Sequence, residues 1–375
     1  MLNHEHHHYA KFFLNKELSS IYSYLAINGF ATSMIGIFVP LYLFVELKYS
    51  LSSILWFFIY HAVVFSIFCV ISTKLIEKIG LKHTILTSMP FLILYFISLF
   101  LLKEYGWLFY VAPILLGGGN GLFWIAFHTL FVRSANKKYL AEAHSLRVIV
   151  TLIVGLVGPI IGGYIITEYG FNVLFVLVTL LSFVAAIPML MTKDISIKSK
   201  FMLSKAFRME NFRDGVAFFG VGSATMGGFL LWPIFIFPIM GKYVLYGFLS
   251  AVADLGNIVS NLVVGRFSDK TDKKAILGTG ALLYAFTNVI RGFVASINQV
   301  FLVQLLINIA FPFLDVPFHA LSYKKHKKHF VEYFVFREIT FNFGRIALLV
   351  FMLIFNNFVA GFIFSAVAVL GTLLF

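Results

Sequence analysis

The chain is predicted to be an all-α integral membrane protein of twelve transmembrane helices in two pseudo-symmetric six-helix bundles, with both termini in the cytoplasm. Three observations lead there: an apolar excess beyond what a soluble core would bury, basic residues confined to alternate loops, and one polar segment written twice.

Of 375 residues, 60% are hydrophobic and 12% charged, and the mean hydropathy is +0.93. Such a composition needs a bilayer as solvent. A run of about 20 apolar residues spans the hydrocarbon as a helix, which satisfies its own backbone polar groups.

Taken in order, the first span (18–45) follows a polar, His-rich start and carries Pro40 late; the second (51–73) holds the sole cysteine, Cys69. Spans 83–102 and 107–132 follow, the latter with Gly117–Gly121 and His128. The fifth (146–167) opens on Arg147 and is rich in glycine, and the sixth (171–192) closes the first half. The second half holds 213–239 with Pro233, 243–265 with a polar stripe, 274–295, 299–322 with Asp315 and His319, 333–354 with Arg337, Glu338 and Arg345, and 356–375. The domains expected are a cytoplasmic tail (1–17), an N-terminal bundle (18–192), a basic linker (193–212) and a C-terminal bundle (213–375). Met1–Lys16 lacks the pattern of a cleaved signal, so this start is expected to stay attached.

The net charge of +13 would suggest nucleic acid in a soluble protein, but its distribution is topological. Before span 1 and in every second loop thereafter stand 24 of the 29 Lys and Arg residues; the opposite loops hold only Lys48, Lys103 and Lys242. The positive-inside rule places the basic loops in the cytoplasm, and an even span count returns the carboxyl terminus there. With a single cysteine, no intramolecular disulfide forms.

The duplicated segment is Thr73–Lys82 in one half and Gly265–Lys274 in the other, with Glu77 and Asp269 aligned 192 residues apart. Pro40 answers Pro233, Ala126–Leu130 answers Pro317–Leu321, and Arg147 answers Arg337, at offsets of 193, 191 and 190. This orderly series reads as parallel repeats of six spans. A carboxylate among basic residues at a helix end suits a latch that parts when bundles rock, so a cytoplasmic gate is expected at Glu77, Lys78, Gly80, Lys82, Gly265, Asp269, Lys270 and Lys274.

These residues resemble the G-x-L-x-D-R-x-G-R-K signature of the major facilitator superfamily, in the loop between helices 2 and 3. Thr73 replaces its first glycine, Glu77 its aspartate, and in the second copy Asp272 stands at its second glycine. Gly155, Gly158, Pro159, Gly162 and Gly163 resemble the G-P-x-x-G-G signature of exporters' helix 5, and small-residue packing accounts for the same string. Gly117 occupies the place of the helix-4 arginine linked to proton transfer in antiporters, which puts drug–proton antiport in doubt.

Ionisable groups deep in a span need a partner or a purpose. Asp254, Asn257 and Asn261 share one face of span 8; Arg345 in span 11, near Asn342 and Glu338, lies at a depth suited to pairing with Asp254. Asp315 and His319 are four apart, on one face of span 10. The resemblance makes helices 1, 4, 7 and 10 line the cavity, which favours Asp315, His319 and His128 for proton coupling, with Asp254, Arg345 and Glu338 as the further coupling candidates. It places Tyr24, Asn28, Asn120, Trp124, Trp232 and Asn308 against the solute. Arg291 is expected to snorkel to headgroups. His4–His8 form a tail with metal-binding composition, read as a plain tail, and Lys324–Lys328 suit anionic lipid or topology anchoring.

The function expected is a secondary active transporter of a small organic solute, proton-coupled, working by alternating access. An uncoupled facilitator, a membrane sensor and proton-antiport efflux are the alternatives. Partners are the solute, protons and the lipid bilayer, without nucleic acid, cofactor or metal, in a monomer at the cell membrane. No nucleotide loop or zinc spacing points to an enzyme.

Overall fold

A computed structural model describes residues 16–134, 140–190, 201–207, 211–325 and 330–375. The tail His4–His8, Lys137, Lys138, most of the linker and Lys327–Lys328 lie outside them. Every regular element among the described residues is helical.

The helices are α1 (Lys16–Ile35), α2 (Leu51–Leu101), α3 (Leu108–Ser134), α4 (Leu140–Gly155), α5 (Gly158–Tyr169), α6 (Phe171–Leu190), α7 (Phe212–Met226), α8 (Trp232–Met240), α9 (Tyr243–Ser268), α10 (Lys273–Arg291), α11 (Ile297–Lys324), α12 (Phe330–Phe355) and α13 (Phe358–Val369). Irregular turns at Gly36–Glu46 extend α1, and a π-helical turn at Gly227–Leu231 joins α7 to α8. The first span of each half is thus broken near its proline, where a backbone hydrogen bond is lost.

Among the described residues, nine helical segments are long and apolar enough to cross a membrane. The expectation of twelve differs for physical reasons. The second and third spans are two helices within α2 separated by a kink at Gly80, where φ is +86° and a side chain would be strained, and together they count as one of the nine. Helix α10 carries Lys273, Lys274, Asn288 and Arg291 and is too polar, and Phe358–Leu374 is too short.

Local chemistry sets the helix starts. Ser50 accepts from the Ser53 amide at the head of α2, Asp272 from Lys274 at α10, and Asn357 from Ala360 at α13. Ser296 and Gln299 form a reciprocal capping box at α11.

Within the first half α2 packs on α3 and α6, and α1 on α4, α5 and α6; within the second α9 packs on α11, α10 on α11 and α13, and α7 on α12. Between the halves, the fifth span (α4–α5) packs on α9, the eighth, while α12, the eleventh, packs on α2, the second. Exchanging the halves turns one contact into the other, as a two-fold axis would. Leu180, Phe183, Ile187, Leu190, Phe286 and Ile354 point outward as an apolar surface. Trp56, Tyr105, Trp107, Tyr110, Tyr164 and Tyr169 are exposed toward the end away from the basic loops, as in an interfacial aromatic belt.

Candidate functional site

A cavity of about 450 Å³ lies between the bundles, within the size range of small-molecule sites. From the first half come Tyr24, Asn28 and Thr32 on α1, His61 on α2, and Asn120 and Trp124 on α3; the second half gives Thr225, Phe229 and Arg345. The Asn120 amide and His61 Nε2 are 3.0 Å apart, which orients both polar heads. Arg345 donates to Asn342 Oδ1 at 2.8 Å and stands over the Phe65 ring at 5.6 Å.

Four of the predicted cavity residues, Tyr24, Asn28, Asn120 and Trp124, therefore line it. Two do not. Trp232 is buried against Arg291 and Phe362, and Asn308 lies on α11, within 3.3 Å of the Asn257 amide and 3.0 Å of the Gln304 carbonyl. Arg291 does not snorkel: it is buried, donates to Asn288 Oδ1 at 2.9 Å and stacks over Trp232 at 5.2 Å. The expected Asp254–Arg345 pair is not formed among the described ion pairs. The Asp254 stripe continues into Asn257 and Ser260, which bond α11, whereas Arg345 turns toward the cavity and α2.

Toward the basic end, a buried polar network bridges the halves. Asp315 of α11 holds two imidazoles, His319 Nε2 at 3.2 Å from one oxygen and His144 Nε2 of α4 at 2.7 Å from the other. The two rings stack at 4.3 Å. Arg337, with no solvent-exposed surface, donates to Glu338 Oε1 at 2.7 and 3.1 Å, to His319 Nδ1 at 3.4 Å and, across the bundles, to His128 Nε2. His128 Nδ1 meets the Tyr323 hydroxyl at 3.1 Å, and Arg147 reaches His144 Nδ1 at 3.4 Å.

An arginine only donates, so each ring nitrogen facing one must accept. That assigns the neutral tautomers. His144 and His319 carry the proton on Nε2 and donate it to Asp315, while His128 carries it on Nδ1 and donates it to Tyr323. Trp124 stacks on His128 at 5.2 Å and also lines the cavity, so one side chain separates the two regions.

The duplicated loops are placed asymmetrically. Asp269 pairs with Lys273 at 2.8 Å and accepts, across the bundles, from the Ala141 amide at 3.4 Å at the head of α4, where a carboxylate suits the helix dipole. Glu77 instead accepts from the Phe201 amide at 2.7 Å, in the segment after α6. Lys82 and Gly265 are buried, Lys78 and Lys270 are exposed, and Lys274 Nζ donates to the Phe375 carbonyl at 3.2 Å.

The fifth-span glycines make close approaches on two sides. Pro159 opens α5 after a break that follows Gly155. A Cβ on Gly158 or Gly162 would stand about 2 Å from Ser33 Oγ or the Met34 carbonyl of α1, and one on Gly163 would stand 2.6 Å from the Tyr243 carbonyl of α9. Gly117 faces the His61 carbonyl of α2 at 2.6 Å, so no arginine fits there.

Sequence reasoning missed His144, because span 5 was started at 146 while α4 begins at Leu140. Its three-residue spacing from Arg147, on one helix face, was the available signal. Arg337 was seen only as a mark of the repeat.

A family model described as Major Facilitator Superfamily matches residues 21–201. The chain is 29% identical over 256 residues to YqgE, a protein of Bacillus subtilis (strain 168) described as uncharacterized, a match taking in 64% of this chain and 59% of that one, under two thirds of its length. Two crystal structures of FucP share the fold at a TM-score of 0.68 and 13% identity, over 95% of this chain and 96% of theirs; one is of a point variant of the E. coli fucose:proton symporter, the other is in the outward conformation. The first half thus carries the sequence pattern of that family, and the chain as a whole shares the fold of FucP.

Proposed function

We propose that the protein is a proton-coupled secondary transporter that moves a small organic solute by alternating access, as a monomer in a cell membrane with its basic loops and both termini in the cytoplasm. The observation that carries this reading is the buried network under the cavity. Its charges balance: Arg147 and Arg337 stand against Asp315 and Glu338, with three neutral imidazoles between them. A proton added to an imidazole ring nitrogen that now accepts from an arginine breaks that contact, and it leaves an uncompensated charge in a low-dielectric interior. The Arg337–His128 contact, which joins the bundles, is therefore one a proton on His128 would part.

Trp124 gives the solute a route to the same groups, since displacing the indole toward or away from the cavity shifts the ring on which His128 stacks. The fucose:proton symporter, which shares the fold, supports the transport reading. Asp269 on the head of α4 supports a gate at the basic end, with Glu77 holding the inter-bundle linker.

The test is flux in proteoliposomes with a solute found by thermal-shift screening at two pH values. Asp315→Asn is expected to abolish pH-gradient-driven accumulation while counterflow persists. Asp254→Asn, outside both cavity and network, is expected to keep accumulation. Undiminished accumulation in Asp315→Asn, or in the parent protein with the gradient collapsed, would reject the coupling.

A further inference from the structure

The cavity is walled by aromatic side chains, among them Phe58, Phe123, Trp124 and Phe229, and Arg345 is the one charged residue among those that line it. No lining residue is an acid. Of the guanidinium's five N–H donors, one has a protein acceptor among the described residues, Asn342 Oδ1. The nearest acid along α12, Glu338, is engaged by Arg337, and no ion pair joins Arg345 to a carboxylate among the described residues. An arginine held in the interior of a membrane protein needs partners or a purpose, and, unlike Arg291, Arg345 faces an open cavity in which the described residues place no carboxylate.

We infer that the cavity takes organic monoanions, carboxylates with an apolar or aromatic body, and that Arg345 is the residue that binds the anionic head. This rests on the reading of the cavity as the solute site. A planar guanidinium forms paired, charge-assisted hydrogen bonds to a carboxylate. The aromatic walls cover the body, and the Asn120–His61 pair with Asn28 and Thr32 offers donors and acceptors to one further polar group. Carried with one proton, such an anion crosses without net charge, which matches a proton network next to the cavity. A cationic solute would meet Arg345 with no acid to offset it.

Three ligands of one skeleton and different charge test the inference on the full chain in detergent: 3-phenylpropionate, 3-phenylpropionamide and 3-phenylpropylamine. Binding is read by tryptophan fluorescence, for which Trp124 lines the cavity, and by thermal shift. The carboxylate is expected to bind about tenfold or more tighter than the amide, with the amine weakest. Arg345→Gln is expected to erase that preference and Arg345→Lys to keep part of it. An amide or amine that binds as well as the carboxylate, an absence of carboxylate binding, or a preference surviving in Arg345→Gln overturns the assignment. Should Arg345→Gln fail to fold, the charge series on the parent protein and Arg345→Lys decides. No gradient enters this measurement, so its failure leaves the proton-coupled reading to be judged by flux alone.

Discussion

Arg337 carries a full charge with no exposed surface, and its fixed partner is the adjacent Glu338. Removing one member of a buried pair strands the other, at a cost of about 3–5 kcal/mol. Arg337→Gln is accordingly expected to lower the thermal midpoint sharply, and Arg337→Gln with Glu338→Gln to lower it less than the two single changes combined. A double-mutant cycle in detergent checks this. The Asp315–His319 pair was legible in the sequence, since four-residue spacing on a helix settles which side chains meet. Trp232 and Asn308 were placed in the wrong surroundings because residue type does not tell which side of a spanning helix faces the cavity. Arg291 illustrates the same gap: an arginine near a helix end reads as a headgroup anchor unless the aromatic face that buries it, Trp232, is known to be adjacent.

Between elements, the fifth span acts as a spacer with two bare flanks. Gly162 lies on the Met34 carbonyl within its own half, while Gly163 and Gly247 let α5 and α9 touch backbone to backbone across the halves. Gly247→Leu is expected to force that contact apart and cost about 1–3 kcal/mol, seen as a lower midpoint. Gly36→Ala, which meets nothing within 4 Å, is expected to leave it unchanged. The sequence foretold small-residue packing here, but not its partners, because a glycine run fits any close neighbour equally. The break at Gly80 between the second and third spans was legible, since the polar segment Thr73–Lys82 separates two apolar runs.

For the whole molecule, the alternation of basic and neutral loops and the descending repeat offsets made the two-bundle plan readable before any coordinates. The way the bundles meet was not readable: spans 5 on 8 and 11 on 2 are long-range contacts that hydropathy does not encode. If a proton unbalances the buried network, acid loosens the basic end. Spin labels at Arg133 and Phe330, which face each other across the halves with the guanidinium 6.0 Å from the ring, are expected to move apart as pH falls, and to respond far less in a variant lacking His128. Because Cys69 is buried and is the only cysteine, labels introduced at Lys48 and Lys78 should react selectively. An impermeant maleimide applied to intact cells is expected to reach the first and not the second.

The carboxylate of Asp269 borrows the amide of Ala141, so one half of the protein finishes the helix start of the other. Drawing the halves apart at that end removes the acceptor and leaves the first turn of α4 with an uncapped amide. Under the proposed alternating access, each opening of that end frays the turn that begins at Leu140. Amide hydrogen exchange at the head of α4 becomes a clock for that excursion, quickening in Asp269→Asn and slowing when a bound ligand holds the end shut.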